Sequence, residues 1–133
     1  MECNAPFCKE AITIDFLQEV YLTLKNGLEI PESNIFKYMV DHGYHTQTNE
    51  PIIRIVQLPS YPHDFADDTR ISTEVDIQID IWQKNKEPRE IGNIIKALMY
   101  LQNYTETYEE PLYDEEVGMF RSIRRYKGFF VEV

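Results

Sequence analysis

The chain has 133 residues, 43% of them hydrophobic and 27% charged, a composition that fits one folded domain and excludes wholesale disorder or a disulfide scaffold. Thirteen Lys and Arg face 23 Asp and Glu, for a formal charge of −10. That balance argues against a free-standing binder of phosphate backbones or anionic membranes, since both need clustered positive charge.

The N-terminus holds both cysteines, Cys3 and Cys8. A disulfide between them would close a very short loop, and no second Cys or His pair lies near enough in sequence for zinc, so two free thiols are expected. Met1-Glu2-Cys3-Asn4 lacks the basic-then-apolar pattern of a secretory signal. The longest apolar runs, such as Phe129-Phe130-Val131, fall far short of the about 20 residues a membrane span needs. A single domain over residues 1–133 is expected, with residues 1–10 as a flexible segment.

The first periodic segment runs from Thr13 to Asn26, with Phe16, Leu17, Val20, Tyr21 and Leu24 on one face. That spacing predicts a helix, capped by Thr13 or Asp15 and closed by Gly27 as a C′ residue. Asn34 to Val40 and Ile52 to Leu58 read as strands, the second bounded by Pro51 and Pro59. Between them, Asp41-His42-Gly43 reads as a turn. Pro59 to Asp68 reads as a loop. Ile71, Thr73, Val75, Ile77, Ile79 and Ile81 then alternate with Ser72, Glu74, Asp76, Gln78, Asp80 and Trp82. Strict alternation predicts a long strand with one buried and one polar face.

Pro88 opens a second predicted helix, with Ile91, Ile94, Ile95, Leu98 and Leu101 as its apolar stripe. Gly92 weakens it and marks close packing on the sheet. Thr105 to Tyr113 reads as an edge or irregular strand because of Pro111. Met119 to Val133 reads as a longer strand with Gly128 at a bulge. The order predicts an α+β fold: a mixed, mainly antiparallel sheet of about four to five strands with two helices on one face.

Several clusters could carry chemistry. His42-Gly43-Tyr44-His45 lacks a local third metal ligand and reads as a solvated hairpin tip. Asp64, Asp67 and Asp68 could form a cation or acid/base loop, but no glycine turn or phosphate-binding element accompanies them. An exposed polar loop is expected there, with a partner contact through the aromatic Tyr61 and Phe65 as the next reading. Glu74, Asp76 and Asp80 share one strand face with Trp82; they suit a solvated or inter-subunit surface. A metal-dependent nuclease would place a lysine two residues after one carboxylate, whereas Lys84 follows Asp80 by four. The acidic stretch Glu106, Glu109, Glu110, Asp114, Glu115 and Glu116 precedes the basic Arg121, Arg124, Arg125 and Lys127. Neighbouring strands would pair these charges within the chain; otherwise opposite patches suit a head-to-tail contact that closes a ring. No phosphate loop, dinucleotide fingerprint, nucleophile elbow or zincin motif is present. A binding or structural protein is expected, not an enzyme, with no catalytic residue, cofactor or metal assigned.

An N-terminal helix, the Pro-Ile-Ile-Arg-Ile-Val strand from Pro51, a Pro/Asp loop, the strand Val75 to Trp82 ending Ile-Trp, the helix Ile91 to Leu101 and a final strand pair follow one another in the chain. Over roughly Glu50 to Val133 this order resembles the tail-completion and tail-terminator (head–tail joining) proteins of long-tailed bacteriophages and prophages. The resemblance implies a virion protein, made in the host bacterial cytoplasm, that forms a hexameric ring at the head-proximal end of the tail. Such a ring ends tail-tube polymerisation and joins the tail to the head connector or stopper, and DNA passes through it without specific binding. Its implied partners are further copies of itself, the tail-tube protein and the connector. Edge strands, charged faces and the 61–68 or 41–50 loop would make those contacts. Two alternatives remain: a head–tail adaptor ring, and a small acidic inhibitor, such as an immunity protein or antitoxin, bound to a basic partner.

Overall fold

The computed structural model describes residues 14–59, 61–63 and 72–131. Cys3, Cys8, Asp64, Phe65, Asp67, Asp68 and the 1–10 segment lie outside the described residues.

Helix α1 spans Phe16–Gly27. Asp15 caps it by accepting a hydrogen bond from the Gln18 amide at 3.0 Å. Leu17, Val20 and Leu24 form its buried stripe. Gly27 is the last helical residue, not a left-handed C′ residue. It is small because α2 lies close: a Cβ there would sit 2.7 Å from Leu98 Cδ1. Strand β1 is only Ile35–Lys37, not the Asn34 to Val40 expected, because Tyr38 takes a left-handed φ of 67° and turns the chain away. Strand β2 is Ile52–Gln57 and β4 is Ser72–Gln83. Between them, Tyr61–His63 forms a short strand, β3, where the sequence reads as loop.

Helix α2 spans Arg89–Leu101, β5 Tyr104–Asp114 and β6 Met119–Val131. The β5–β6 turn closes with the Gly118 amide donating to the Asp114 carbonyl at 2.8 Å, and Gly118 supplies the required positive φ of 70°.

The sheet runs β1-β2-β4-β6-β5, with β3 also paired to β4. Only β1 and β2 are parallel; every other pair is antiparallel. The result is the expected α+β architecture, a mainly antiparallel sheet with two helices on one face. β2 and β3 lie along the same edge of β4, Gln57 opposite Ile77 and Tyr61 opposite Glu74. The register slips by one residue between them, a break that contains Pro59. A second irregularity sits in β5 between Glu106 and Tyr108. Gly128 marks no bulge, since β6 keeps one register with β4 throughout. A Cβ there would lie 2.8 Å from Phe130 and 3.0 Å from Tyr104. β5 is an edge strand, which accommodates the missing donor of Pro111.

The main core lies between the helices and the inner face of the sheet. Val75, Ile77, Ile79 and Ile81 of β4 are fully buried, with Ile53 and Ile55 of β2 and Tyr126 of β6. α2 adds Ile95 and Met99. Burying an Ile or Leu side chain contributes roughly 1.5–3 kcal/mol, so this cluster outweighs any single polar contact in the fold.

Candidate functional site

The alternation of β4 sends Glu74, Asp76, Gln78, Asp80 and Trp82 to the outer face, away from the helices. Only part of that face is open. At one end, residues 38–50 fold over it. Ile52, Trp82 and Met119 form a second buried cluster there, flanked by Phe36, Val40, Tyr44 and Val117. Asn34 anchors this cover: its side-chain amide donates to Thr48 Oγ1 at 3.2 Å and to the Pro51 carbonyl at 3.0 Å. Its carbonyl accepts from the Tyr44 hydroxyl at 2.6 Å.

In the middle of the face Asp80 is 0% exposed, which corrects the expectation of a solvated carboxylate row. The register sets Arg54 of β2 directly opposite Asp80. Arg54 Nη2 lies 2.8 Å from Oδ2, and Arg121 Nη2 lies 3.0 Å from Oδ1. A buried carboxylate is tolerated because both oxygens are met by charged donors. Trp82 is 4% exposed and sits between the same two guanidinium groups, with Arg121 Cζ 4.9 Å and Arg54 Cζ 5.4 Å from the ring. Its Nε1 donates to Asp114 at 3.1 Å, and Asp114 also pairs with Arg121 at 3.6 Å. Asp80 and Trp82 are therefore internal to the domain. Trp82 is packed under residues 38–50, which precede β4.

At the other end Lys127 bridges Glu74 at 2.7 Å and Asp76 at 3.7 Å. Burial and the neighbouring Glu74 push the Asp76 carboxyl above its ordinary value, while the bond to Glu74 holds the Lys127 ammonium above its own. Arg125 is exposed; it donates to Gln78 at 3.1 Å and lies over Tyr108 at 5.1 Å.

Arg124 points the other way, beneath α2. It is 4% exposed, pairs with Glu106 at 3.0 Å and Glu109 at 3.8 Å, and donates to Ser122 Oγ at 3.1 Å. Gly92 makes this possible, because a Cβ at that position would sit 2.3 Å from the guanidinium carbon. The acidic and basic stretches thus pair within the chain on neighbouring strands, the first of the two arrangements the sequence allows. Of the residues expected to form a contact surface, Arg125 stays exposed and Glu74, Asp76 and Arg121 are partly so. Tyr61 is placed in β3 by its backbone.

One surface was missed. The sequence spacing sets Ile94 and Leu101 in the apolar stripe of the second helix, yet they are 49% and 74% exposed, with Tyr100 beside them at 72%. The buried residues of α2 are Gly92, Ile95 and Met99. Ile94, Ala97 and Leu101 recur at three- and four-residue spacing on the opposite side, a second apolar arc that could have been read from the sequence. Beside this helix, the edge strand β5 presents the exposed Glu109, Glu110 and Tyr113.

A shallow cleft of about 190 Å³ lies between α1 and the start of β5, lined by Glu19, Thr23, Asn103 and Phe130 among others. Among the described residues no group of three or more His, Cys, Asp or Glu is arranged to hold a metal. No helix among them is long and apolar enough to cross a membrane. The surfaces that stand out among the described residues are the outward stripe of α2 and the acidic edge of β5. No protein-family model matches the chain, and no curated protein matches it.

Proposed function

We propose that the chain is a structural subunit of a protein assembly, most specifically a tail-terminating, head–tail joining ring protein of a long-tailed bacteriophage or prophage. The observation that carries the assembly reading is the outward stripe of α2, where Ile94, Tyr100 and Leu101 are 49%, 72% and 74% exposed side by side on one helix. Apolar side chains gathered on one helix face are suited to a protein partner. The unpaired edge of β5 offers a second mating surface. The phage assignment rests on the resemblance in element order and on the acidic balance, since a lumen of negative charge would let DNA pass without holding it. On this reading copies of the chain close a ring on the tail tube and present another surface to the head connector.

The experiment is a mass measurement of the purified protein, alone and with tail-tube subunits. A ring formed on the tube supports the reading. A strict monomer that never binds the tube overturns it; binding to connector protein alone turns it into the adaptor-ring reading. The exposed Glu109, Glu110, Glu115 and Glu116 favour a second reading, an acidic inhibitor that masks a basic protein. Co-purification with a cationic toxin in place of tail proteins would select it.

A further inference from the structure

His45 lies in the 3-10 turn Tyr44–Thr46, within the cover over the outer face. Its ring meets Trp82 edge-on at 4.8 Å between centroids, and its Nε2 is buried without a hydrogen-bond partner among the described residues. Charged groups face it from every strand beneath: Arg54 on β2, Arg121 on β6 and Asp114 at the end of β5, with Asp80 of β4 tying the two arginines together. Its own segment adds Asp41 and His42, both exposed. Burial pushes the imidazole below its ordinary value near 6.5; Asp114 opposes that, and Arg121 and Arg54 add to it.

Asp114 is a poor rescuer for a protonated ring. It already accepts from Trp82 Nε1 at 3.1 Å and pairs with Arg121 at 3.6 Å. The two arginines and two aspartates balance, so an imidazolium would be a third cation in a neutral cluster. It would also carry a buried N–H with no acceptor. Besides its contact with Trp82, the turn is tied by the Tyr44 hydroxyl to Asn34 and by the Tyr44 ring against Phe36, over a small apolar cluster of Ile52, Trp82 and Met119.

We propose that residues 38–50 form an acid-released flap, in which a proton on His45 lifts the turn from Trp82 and uncovers the apolar end of the outer face. The sign follows from linkage. A depressed imidazole leaves the closed flap fully stable above about pH 6.5, and stability is lost as pH falls through the lowered value, because the open form takes up the proton more readily. The Asn34 clamp on Thr48 and Pro51 keeps the far end attached, and the Tyr44 to Asn34 bond is the one that breaks. The flap is independent of the assembly reading.

Trp82 is the only tryptophan in the chain, so it reports the opening directly. Its emission wavelength and acrylamide quenching are followed from about pH 8 to about pH 5, with far-ultraviolet circular dichroism alongside. The expected result is a red shift and a rise in quenching below about pH 6.5 with helix content unchanged. His45→Phe keeps a ring against Trp82 and abolishes the shift, while His42→Asn and His63→Asn retain it. A wild-type protein with no red shift, or a shift that survives His45→Phe, overturns the proposal. Should His45→Phe fail to fold, the His45 ring is titrated by NMR in the wild type. Its midpoint must coincide with that of the Trp82 shift, and a mismatch overturns the flap equally.

Discussion

The two faces of the sheet are covered by different means. The inner face is sealed by two helices over a continuous apolar cluster that includes Val75, Ile77, Ile79 and Ile81. The outer face is held by ion pairs centred on Asp80, and one end of it is covered by an irregular segment over Ile52, Trp82 and Met119. Apolar burial is non-directional and additive, so the inner face sets the stability of the domain. The outer network depends on every partner being in place, and a buried carboxylate that loses one becomes a liability. The exposed apolar stripe of α2 and the open edge of β5, which the proposed assembly would use, lie outside both cores.

The largest effect is expected where the inner face is broken. Ile79→Ala should lower unfolding free energy by about 3 kcal/mol, through lost transfer energy and a cavity, in a denaturant titration. Asp80→Ala should cost about 2 kcal/mol or more by the same measurement, because Arg54 and Arg121 lose their shared carboxylate while half-buried themselves. An equal or greater loss at Asp80 would show that the outer face carries more of the fold than its small apolar cluster suggests. Gly92→Ala should also destabilise, by about 1–2 kcal/mol, although Ala favours helix by about 1 kcal/mol, since the new Cβ displaces the buried guanidinium of Arg124.

Tyr126 sharpens the comparison from the inner side. Its hydroxyl donates to Glu106 at 2.8 Å, and burial first, then that bond, push it above its ordinary value of 10.0. The folded state therefore keeps this proton longer than the unfolded one. Stability is intact below about pH 10 and falls as pH rises above it. Tyr126→Phe should cost about 1 kcal/mol at neutral pH and flatten the alkaline decline in a thermal-melt series. At the small end, Glu90→Gln removes the exposed pair with Lys86 at 3.7 Å and the negative charge in the first turn of α2, and should change stability by less than about 1 kcal/mol.

The long strand was legible because alternation is a local signal: Val75 to Ile81 carry it whatever lies next to them. The burial of Asp80 was not legible. Its partners Arg54 and Arg121 lie 26 and 41 residues away, and only the register of three strands brings them together. Parity placed Asp80 and Trp82 on the polar face correctly, but parity says nothing of what covers that face. His45 was hidden for the same reason, since the chain reversal at Tyr38 depends on a left-handed non-glycine residue that no pattern marks. Gly92 was the opposite case, a costly residue inside a helix, and its cost pointed to the close approach found over Arg124. Ile94 and Leu101 fall on a second apolar arc, so the five apolar residues of α2 divide between two faces of the helix and do not form one stripe.

The assembly account is tested most directly by comparing the wild type with Ile94→Asp/Leu101→Asp, each mixed with tail-tube subunits, and measuring the mass of the complexes formed. Both positions face outward on α2, so the double variant should fold and melt like the wild type. The account expects the wild-type chain to close a ring on the tube and the variant to remain unassembled. A variant that assembles as the wild type does, or a wild-type chain that stays monomeric with tube subunits present, would contradict it.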